Sequence, residues 1–121
     1  MKLTNDILQP QLGQLRYNQH MGKSVLAHDL KTTQKIIFHH LRPRDAKVFL
    51  FGSHATGKAK PHSDIDVAVL PLRPIDPMIL TQIKDELEES DIVRNVDIVD
   101  LSKTDRKFRQ RVEKEGVVWK G

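Results

Sequence analysis

Residues 48–70 read VFLFGSHATGKAKPHSDIDVAVL, in which two apolar runs enclose a glycine–serine pair and, ten residues later, an Asp-x-Asp pair. Each apolar run predicts a strand. Because side chains alternate across a strand, Asp64 and Asp66 share one face and together can hold a divalent cation. The backbone N–H groups and the hydroxyl of Gly52 and Ser53, where the first strand ends, can meet a phosphate. The pattern therefore predicts metal-dependent nucleotide chemistry.

This signature of Gly-Ser, a ten-residue gap and Asp-x-Asp resembles that of the nucleotidyltransferase superfamily that includes DNA polymerase beta, and most closely its small branch, the minimal nucleotidyltransferases (MNT proteins). The resemblance covers about residues 30–119, and its specific part is confined to residues 49–70. It implies an α/β (α+β) chain with the palm-like core of that family, a small mixed β-sheet packed with helices. The order of the predicted elements, αβαβαβ, agrees with such a core.

Enzymes of the resembled family use three acidic residues, and Asp97 is the predicted third. It stands in an apolar strand, where a lone buried carboxylate is costly unless a metal compensates it. Asp100 falls at the end of the same strand on the other face, so we expect it to be solvated or to cap the chain near Ser102.

Roles for these residues follow from the resemblance and from the chemistry of phosphoryl transfer. Two Mg²⁺ ions about 3.5–4 Å apart clamp the attacking and leaving oxygens in such reactions, and carboxylates suit these hard cations. Asp64 and Asp66 would bridge both ions, and Asp97 would bind the ion that activates the acceptor hydroxyl. ATP is the expected nucleotide donor. The groups expected to hold its β- and γ-phosphates are Gly52, Ser53, Gly57 and Lys58.

The same glycine-rich segment also satisfies the first seven positions of a P-loop, residues 52–58, but this alternative fails on two counts. Position eight is Ala59, which has no hydroxyl for Mg²⁺, and Pro61 interrupts the helix that a P-loop requires. The histidines nearby show no spacing typical of a structural zinc site, and the chain has no cysteine. We therefore expect a strand, and not a P-loop helix, after this segment.

The segment also departs from the MNT pattern, because His54 and Thr56 stand where many members of the family carry arginine. Both changes weaken a direct grip on phosphate. Lys58 and Lys60 lie close by and supply positive charge from a different angle. The departure leaves two alternatives open, a slower enzyme and a chain that binds nucleotide without turning it over.

The remaining apolar patterns predict the elements around the site. The C-terminal helix is expected to begin with a capping-box-like pair, Ser102 and Asp105, and to end at Gly116. An N-terminal helix is expected to be interrupted by Pro10 and Gly13. Helices are predicted over about residues 29–41, 76–89 and 102–116, and strands over about residues 47–51, 64–70, 95–100 and 117–119.

Length and composition indicate one domain. At 121 residues there is room for a single α/β unit, which we place at residues 28–121, and residues 1–27 form an N-terminal extension without an assigned role. No apolar run approaches the ~18–20 residues that span a bilayer, so we expect no membrane association and a cytoplasmic location. The net charge is +4, and the basic residues of the C-terminal helix are expected to form a solvated face.

The resemblance also implies a partner. MNT proteins are typically encoded with a helical HEPN protein, a ribonuclease toxin, which they neutralise as antitoxins by transferring AMP to a tyrosine or by contact alone. Polymerases of the superfamily carry extra domains that hold a template, so a long nucleic acid is not expected as the main acceptor here. We therefore predict an ATP- and Mg²⁺-dependent protein adenylyltransferase of a toxin–antitoxin pair. The alternatives are a non-catalytic module that neutralises its partner by contact, and a transferase acting on RNA ends or a small molecule; the oligomeric state stays open.

Overall fold

The structure is a computed structural model that describes the backbone of residues 11–120 and the side chains of residues 24–120. Helices and strands alternate along the chain, and one turn of 3-10 helix, Leu101–Lys103, follows the third strand. No helix in this described part is long and apolar enough to cross a membrane. The helices are α1 (Gln11–His40), α2 (Ser53–Thr56), α3 (Pro77–Glu89) and α4 (Arg106–Glu115), and the strands are β1 (Ala46–Phe51), β2 (Ile65–Pro71), β3 (Val96–Asp100) and β4 (Val117–Trp119).

The four strands form one mixed sheet in the order β3-β2-β1-β4. β1 is antiparallel to both of its neighbours, β2 and β4, whereas β2 and β3 are parallel. A parallel pair requires a crossover connection, and α3 provides it between β2 and β3. The predicted architecture, a small mixed sheet packed with helices, is confirmed.

One face of the sheet is buried under α1 and α3, and we call it the α1/α3 face. Ile65, Val67 and Val69 of β2 point to this face and are fully buried, because strand side chains at i and i+2 share one side. They form one apolar cluster with residues of the two helices, among them Ile37 and Ile83. This layer contains the larger part of the hydrophobic core.

The opposite face, which we call the α4 face, is covered by α4 over part of its extent. Ala68 of β2 points to it and clusters with Leu101 and Val112, all three of them buried. Since Asp66 precedes Ala68 by two residues, the side chain of Asp66 lies on the α4 face as well. Asp66 is only half-buried, so α4 leaves this end of the face open to solvent.

The N-terminal helix differs from its prediction. α1 runs through Gly13 without a break, because a single glycine inside a helix costs only about 1 kcal/mol relative to alanine. The predicted interruption at Pro10 lies outside the described residues. α1 also crosses the boundary placed after residue 27, and the division into an extension of residues 1–27 and a domain of residues 28–121 stays a prediction.

The start of α4 differs as well. The helix is capped by Asp105, whose carboxylate accepts a hydrogen bond from the N–H of Phe108, and the predicted capping box with Ser102 is wrong. Ser102 lies instead in the 3-10 turn, where its N–H and its hydroxyl both donate to Asp100 at 2.9 and 2.6 Å. The predicted capping role of Asp100 is confirmed.

Candidate active site

Asp66 and Asp97 lie side by side on neighbouring strands. In the parallel pair of β2 and β3, each is the direct register partner of the other. Val96 and Ile98 pack against the core under the α1/α3 face, so Asp97 between them points to the α4 face, as Asp66 does. The fold therefore brings two of the three predicted carboxylates together on the open end of one sheet face.

Asp64 stands one residue ahead of β2 and is exposed. Hydrogen bonds hold the chain on both sides of it. The N–H of Ile65 donates to the carbonyl of Asn95 at 2.9 Å, which fixes the start of β2 against the segment that leads into β3. The ring Nε2 of His54 donates to the carbonyl of Ser63 at 3.0 Å, which ties the residue before Asp64 to α2.

The turn after β1 brings the backbone directly against Asp66. Gly52 has φ 75° and ψ −154°, a conformation that is in practice restricted to glycine. A Cβ at this position would overlap with Oδ2 of Asp66. Gly52 is therefore required twice, for its backbone conformation and for this close approach, and the glycine of the predicted phosphate-binding turn forms one wall of the carboxylate site.

The pKa of Asp66 is perturbed. Burial raises its pKa above the usual range, and the negative charges of Asp97 and then Asp64 raise it further, while the charge of His54 lowers it. A group of carboxylates that repel one another gains most from a bound cation, because the cation compensates all of them at once. The electrostatics of the site therefore match the binding of a divalent cation.

The carboxylates do not form a complete metal cage by themselves. Among the residues that the structure describes, no three carboxylates or histidines are grouped so as to hold a metal ion. Asp97 is exposed, and the predicted burial of this side chain is wrong, because β3 is an edge strand. The donor set still fits Mg²⁺, which keeps several waters and binds through one or two carboxylates plus the phosphates of a substrate. Such a site is completed by the nucleotide.

The predicted phosphate-binding residues lie in α2 and on either side of it. Ser53 follows Gly52 directly and is half-buried, and its hydroxyl makes no hydrogen bond to any other described residue, so it is free to meet a ligand. Gly57 ends α2 in the left-handed conformation, with φ 78°, and Lys58 beyond it is exposed. Of these residues, Gly52 lies against Asp66 and Ser53 follows it in the chain. The contacts of Ser53, Gly57 and Lys58 with phosphate stay predictions.

His54 is a site residue that the sequence did not identify. It lies where the resemblance leads one to expect arginine, yet its ring braces the carbonyl of Ser63 and its charge opposes the repulsion at Asp66. The available signal was its place directly after the Gly-Ser pair. The bond to Ser63 depends on the path of the intervening loop, which local spacing does not specify.

Comparisons with known proteins identify the family of the chain. A family model described as polymerase beta, nucleotidyltransferase matches residues 33–120. A Haemophilus influenzae protein described as a probable protein adenylyltransferase, MntA, is 38% identical over 84 residues, which cover 69% of this chain and 73% of that protein.

Two solved structures show the same fold. The first is a toxin–antitoxin with AMP-PNP, at 26% identity and a TM-score of 0.57, over 74% of this chain and 73% of that one. The second is a tri-AMPylated Shewanella oneidensis HEPN toxin in complex with MNT antitoxin, at 25% identity and a TM-score of 0.50, over 75% of this chain and 72% of that one. Because the family model spans most of the sequence, the chain belongs to the polymerase beta nucleotidyltransferase family, as its Gly-Ser and Asp-x-Asp pattern predicts.

Proposed function

We propose that this chain is a Mg²⁺-dependent protein adenylyltransferase that moves AMP from ATP to a tyrosine hydroxyl of a HEPN toxin, and so acts as its antitoxin. The similarity to an adenylyltransferase supports the reaction. The related complex with AMP-PNP supports ATP as the donor, and the complex with an AMPylated HEPN toxin supports the partner. A reaction with an intracellular ribonuclease toxin takes place in the cytoplasm.

One observation carries this proposal: Asp66 and Asp97 are register partners on parallel strands, and the backbone of Gly52 lies against Asp66. Nucleotidyl transfer requires little covalent chemistry from the protein, because catalysis comes from positioning and from stabilising charge on the phosphates. Adjacent carboxylates on the sheet, beside a turn in which Gly52 has no side chain, supply both conditions.

The three carboxylates have different roles in the proposed reaction. Bound Mg²⁺ supplies charge that polarises the α-phosphate and lowers the pKa of the acceptor hydroxyl. Asp66 from the sheet and Asp64 from the end of the loop would hold two such ions. Asp97, the more exposed member of the pair, faces the acceptor and receives the proton of the hydroxyl directly or through water. The hydroxyl oxygen then bonds to the α-phosphorus as the bond to the bridging oxygen breaks, and pyrophosphate leaves past Ser53.

The reaction is tested with the purified chain, its HEPN partner, Mg²⁺ and ATP labelled in the α-phosphate. We expect label on a tyrosine of the toxin, no transfer from ATP labelled in the γ-phosphate, and no transfer by Asp64→Asn. Folded wild-type chain that leaves no label on protein, or an Asp64→Asn variant that labels the toxin equally well, contradicts the proposal. Label in RNA or in a small molecule instead indicates a transferase with another acceptor.

A second function is favoured by the two positions where the family usually has arginine. His54 donates to the carbonyl of Ser63, and the hydroxyl of Thr56 donates to the carbonyl of Gly52 at 3.3 Å. Both side chains thus contact the chain's own backbone. A chain without these arginines would neutralise its toxin by contact alone, with nucleotide bound but not transferred. Residual ribonuclease activity of the toxin distinguishes the two, because inhibition that survives the loss of all three aspartates favours contact.

A further inference from the structure

We propose that Arg94 is a positioning residue for the carboxylate site: anchored by Asp29 of α1, it ties the loop that carries Asp64 to the segment that leads into β3. We call residues 57–64, between α2 and β2, the 57–64 loop. The inference rests on the proposed function, because it concerns the affinity of that same site for Mg²⁺ and nucleotide. Arg94 acts through Asp64 and is no ligand itself.

The anchor is a carboxylate buried in α1. Asp29 is 0% exposed, and its oxygens accept hydrogen bonds from the N–H of Val93 at 3.1 Å, the N–H of Arg94 at 3.2 Å and Nη1 of Arg94 at 3.0 Å. A buried charge is tolerated when it is paired and hydrogen-bonded in this way. Asp29 therefore holds residues 93 and 94 against α1, shortly before Asp97 in the chain.

The second terminal nitrogen of the Arg94 guanidinium contacts the 57–64 loop. Nη2 of Arg94 donates to the carbonyl of Pro61 at 2.9 Å, and Pro61 precedes Asp64 by three residues. Arg94 precedes Asp97 by the same number. One side chain thus spans the two segments that lead into β2 and β3, the strands on which the carboxylates are carried.

Arginine at this position carries an energetic cost. The side chain is 10% exposed, and its Nε is buried without a hydrogen-bond partner among the described residues. A lysine would also pair with Asp29, through a compact ammonium at the end of a flexible chain. Only the planar guanidinium of arginine offers two donors at fixed angles, one for Asp29 and one for Pro61. The contact with the loop is therefore what the guanidinium adds.

The loop needs such a restraint because its last residue is charged. Asp64 and the two carboxylates beyond it repel one another, so without a cation this repulsion favours displacement of Asp64 from the site. Residues 56–62 are exposed, and the bonds from His54 to Ser63 and from Arg94 to Pro61 tie the loop to the rest of the fold. Arg94 therefore keeps Asp64 in place before the cation arrives, which raises the affinity for the cation.

The experiment separates this role from plain stabilisation of the fold. Arg94→Lys keeps the charge and the pairing with Asp29 but loses the second donor to Pro61. We expect its melting temperature to stay close to that of the wild type, while its Kd for Mg²⁺ with a non-hydrolysable ATP analogue, measured by calorimetry, rises about tenfold. Hydrogen exchange of the 57–64 loop, without ligand, should become faster in the same variant.

The matched control removes another pair between α1 and the segment that leads into β3. Nε2 of His28 in α1 contacts the carboxylate of Asp91 at 3.0 Å, and this exposed pair makes no hydrogen bond or ion pair with the described residues of the 57–64 loop. Asp91→Asn should bind the Mg²⁺–nucleotide as the wild type does. Wild-type affinity and loop exchange in Arg94→Lys, or an equal loss in Asp91→Asn, overturns the inference.

Two further outcomes are informative. If Arg94→Lys does not fold, Asp29→Asn, which leaves Arg94 in the chain but removes the charge that orients it, should show the same loss of affinity and the same faster exchange. If the wild-type chain binds no Mg²⁺–nucleotide, the proposed function fails instead, while faster loop exchange in Arg94→Lys still supports the restraint.

Discussion

The two faces of β2 serve opposite purposes within one strand. On the α1/α3 face Ile65, Val67 and Val69 are completely buried, and burial of such apolar side chains stabilises the fold by about 1.5–3 kcal/mol each. On the α4 face the same strand begins with Asp66, whose charge is opposed by burial and by two neighbouring carboxylates. The contrast teaches that a strand anchored firmly on one side can hold mutually repelling charges on the other.

The same division extends to β3. Val96 and Ile98 pack under the α1/α3 face, while Asp97 between them is exposed on the α4 face. A rigid element is a better support for a catalytic group than a loop, because a displacement of about 1 Å can cost on the order of 10²-fold in rate. The apolar layer therefore supports these strands from the α1/α3 face, and its side chains point away from the carboxylates.

The largest effect on AMP transfer is expected when Asp66, on the α4 face, loses its charge. Asp66→Asn removes a ligand of the cation, and since the cation contributes several kcal/mol of transition-state stabilisation, AMP transfer should fall about 10³-fold. Transfer is measured as label on the HEPN toxin over time. The control is Asp76→Asn, because Asp76 caps α3 through the N–H of Met78 and asparagine caps equally well.

The next effect belongs to the α1/α3 face. Ile83 of α3 is 0% exposed, so Ile83→Ala should lower the free energy of unfolding by about 2–5 kcal/mol, measured by denaturant titration. Val93→Ala, at a side chain that is 74% exposed, should change it by less than about 0.5 kcal/mol. The folded Ile83→Ala protein should retain its affinity for Mg²⁺ and nucleotide. If affinity falls along with stability, the two faces do not have separable roles.

Local signals in the sequence were enough to place the centre of the site. The alternation in β2, the Gly-Ser turn and the spacing between them are all contained in residues 48–70, so they could be recognised without knowing the path of the chain. The position of β3 was different. Alternation places Asp97 and Val99 on one face, but it does not indicate whether a strand lies in the middle of a sheet or at its edge. The strand order β3-β2-β1-β4 is what leaves Asp97 exposed.

The supporting contacts could not be predicted for a related reason. His54 braces Ser63, and Asp29 binds Arg94 from far away in the sequence, and neither pair has a characteristic spacing. Both bonds depend on how the 57–64 loop and α1 are packed against the sheet. A sequence reveals groups that act through their neighbours along the chain more readily than groups that act across the fold.

The effect of the close approach between the Gly52 backbone and the Asp66 carboxylate can be measured by comparing substitutions at two glycines. Gly52 and Gly57 have nearly the same positive φ, 75° and 78°, but a Cβ at Gly57 would meet nothing within 4 Å, whereas at Gly52 it would overlap with Asp66. Gly57→Ala should therefore cost about 1–2 kcal/mol of stability for its backbone alone. Gly52→Ala should cost that amount and also weaken the binding of Mg²⁺ and nucleotide. Equal affinities in the two variants would show that the contact with Asp66 is unimportant.

The smallest effect is on the pH dependence of stability without Mg²⁺. Because the folded-state pKa of Asp66 is raised above its unfolded value, the charged form destabilises the fold above the folded pKa, and this penalty disappears below the unfolded pKa of about 3.8. Asp66→Asn carries no charge at any pH. It should therefore melt at a higher temperature than the wild type at pH 7, with a difference that vanishes as the pH falls below about 4.

Asp91 provides the control of opposite sign, outside both faces of the sheet. A hydrogen bond from His28 is the main reason that its pKa is lowered, so its contribution to stability is present above the unfolded pKa and is lost as the pH falls through the folded value. Asp91→Asn should lower the melting temperature slightly at pH 7, since the pair is exposed. Added Mg²⁺ with nucleotide should stabilise the wild type and Asp91→Asn alike, and Asp66→Asn much less, because only the last has lost a ligand. If Asp66→Asn and Asp91→Asn shift the melting temperature in the same direction, repulsion at Asp66 is not what separates the α4 face from the rest of the fold.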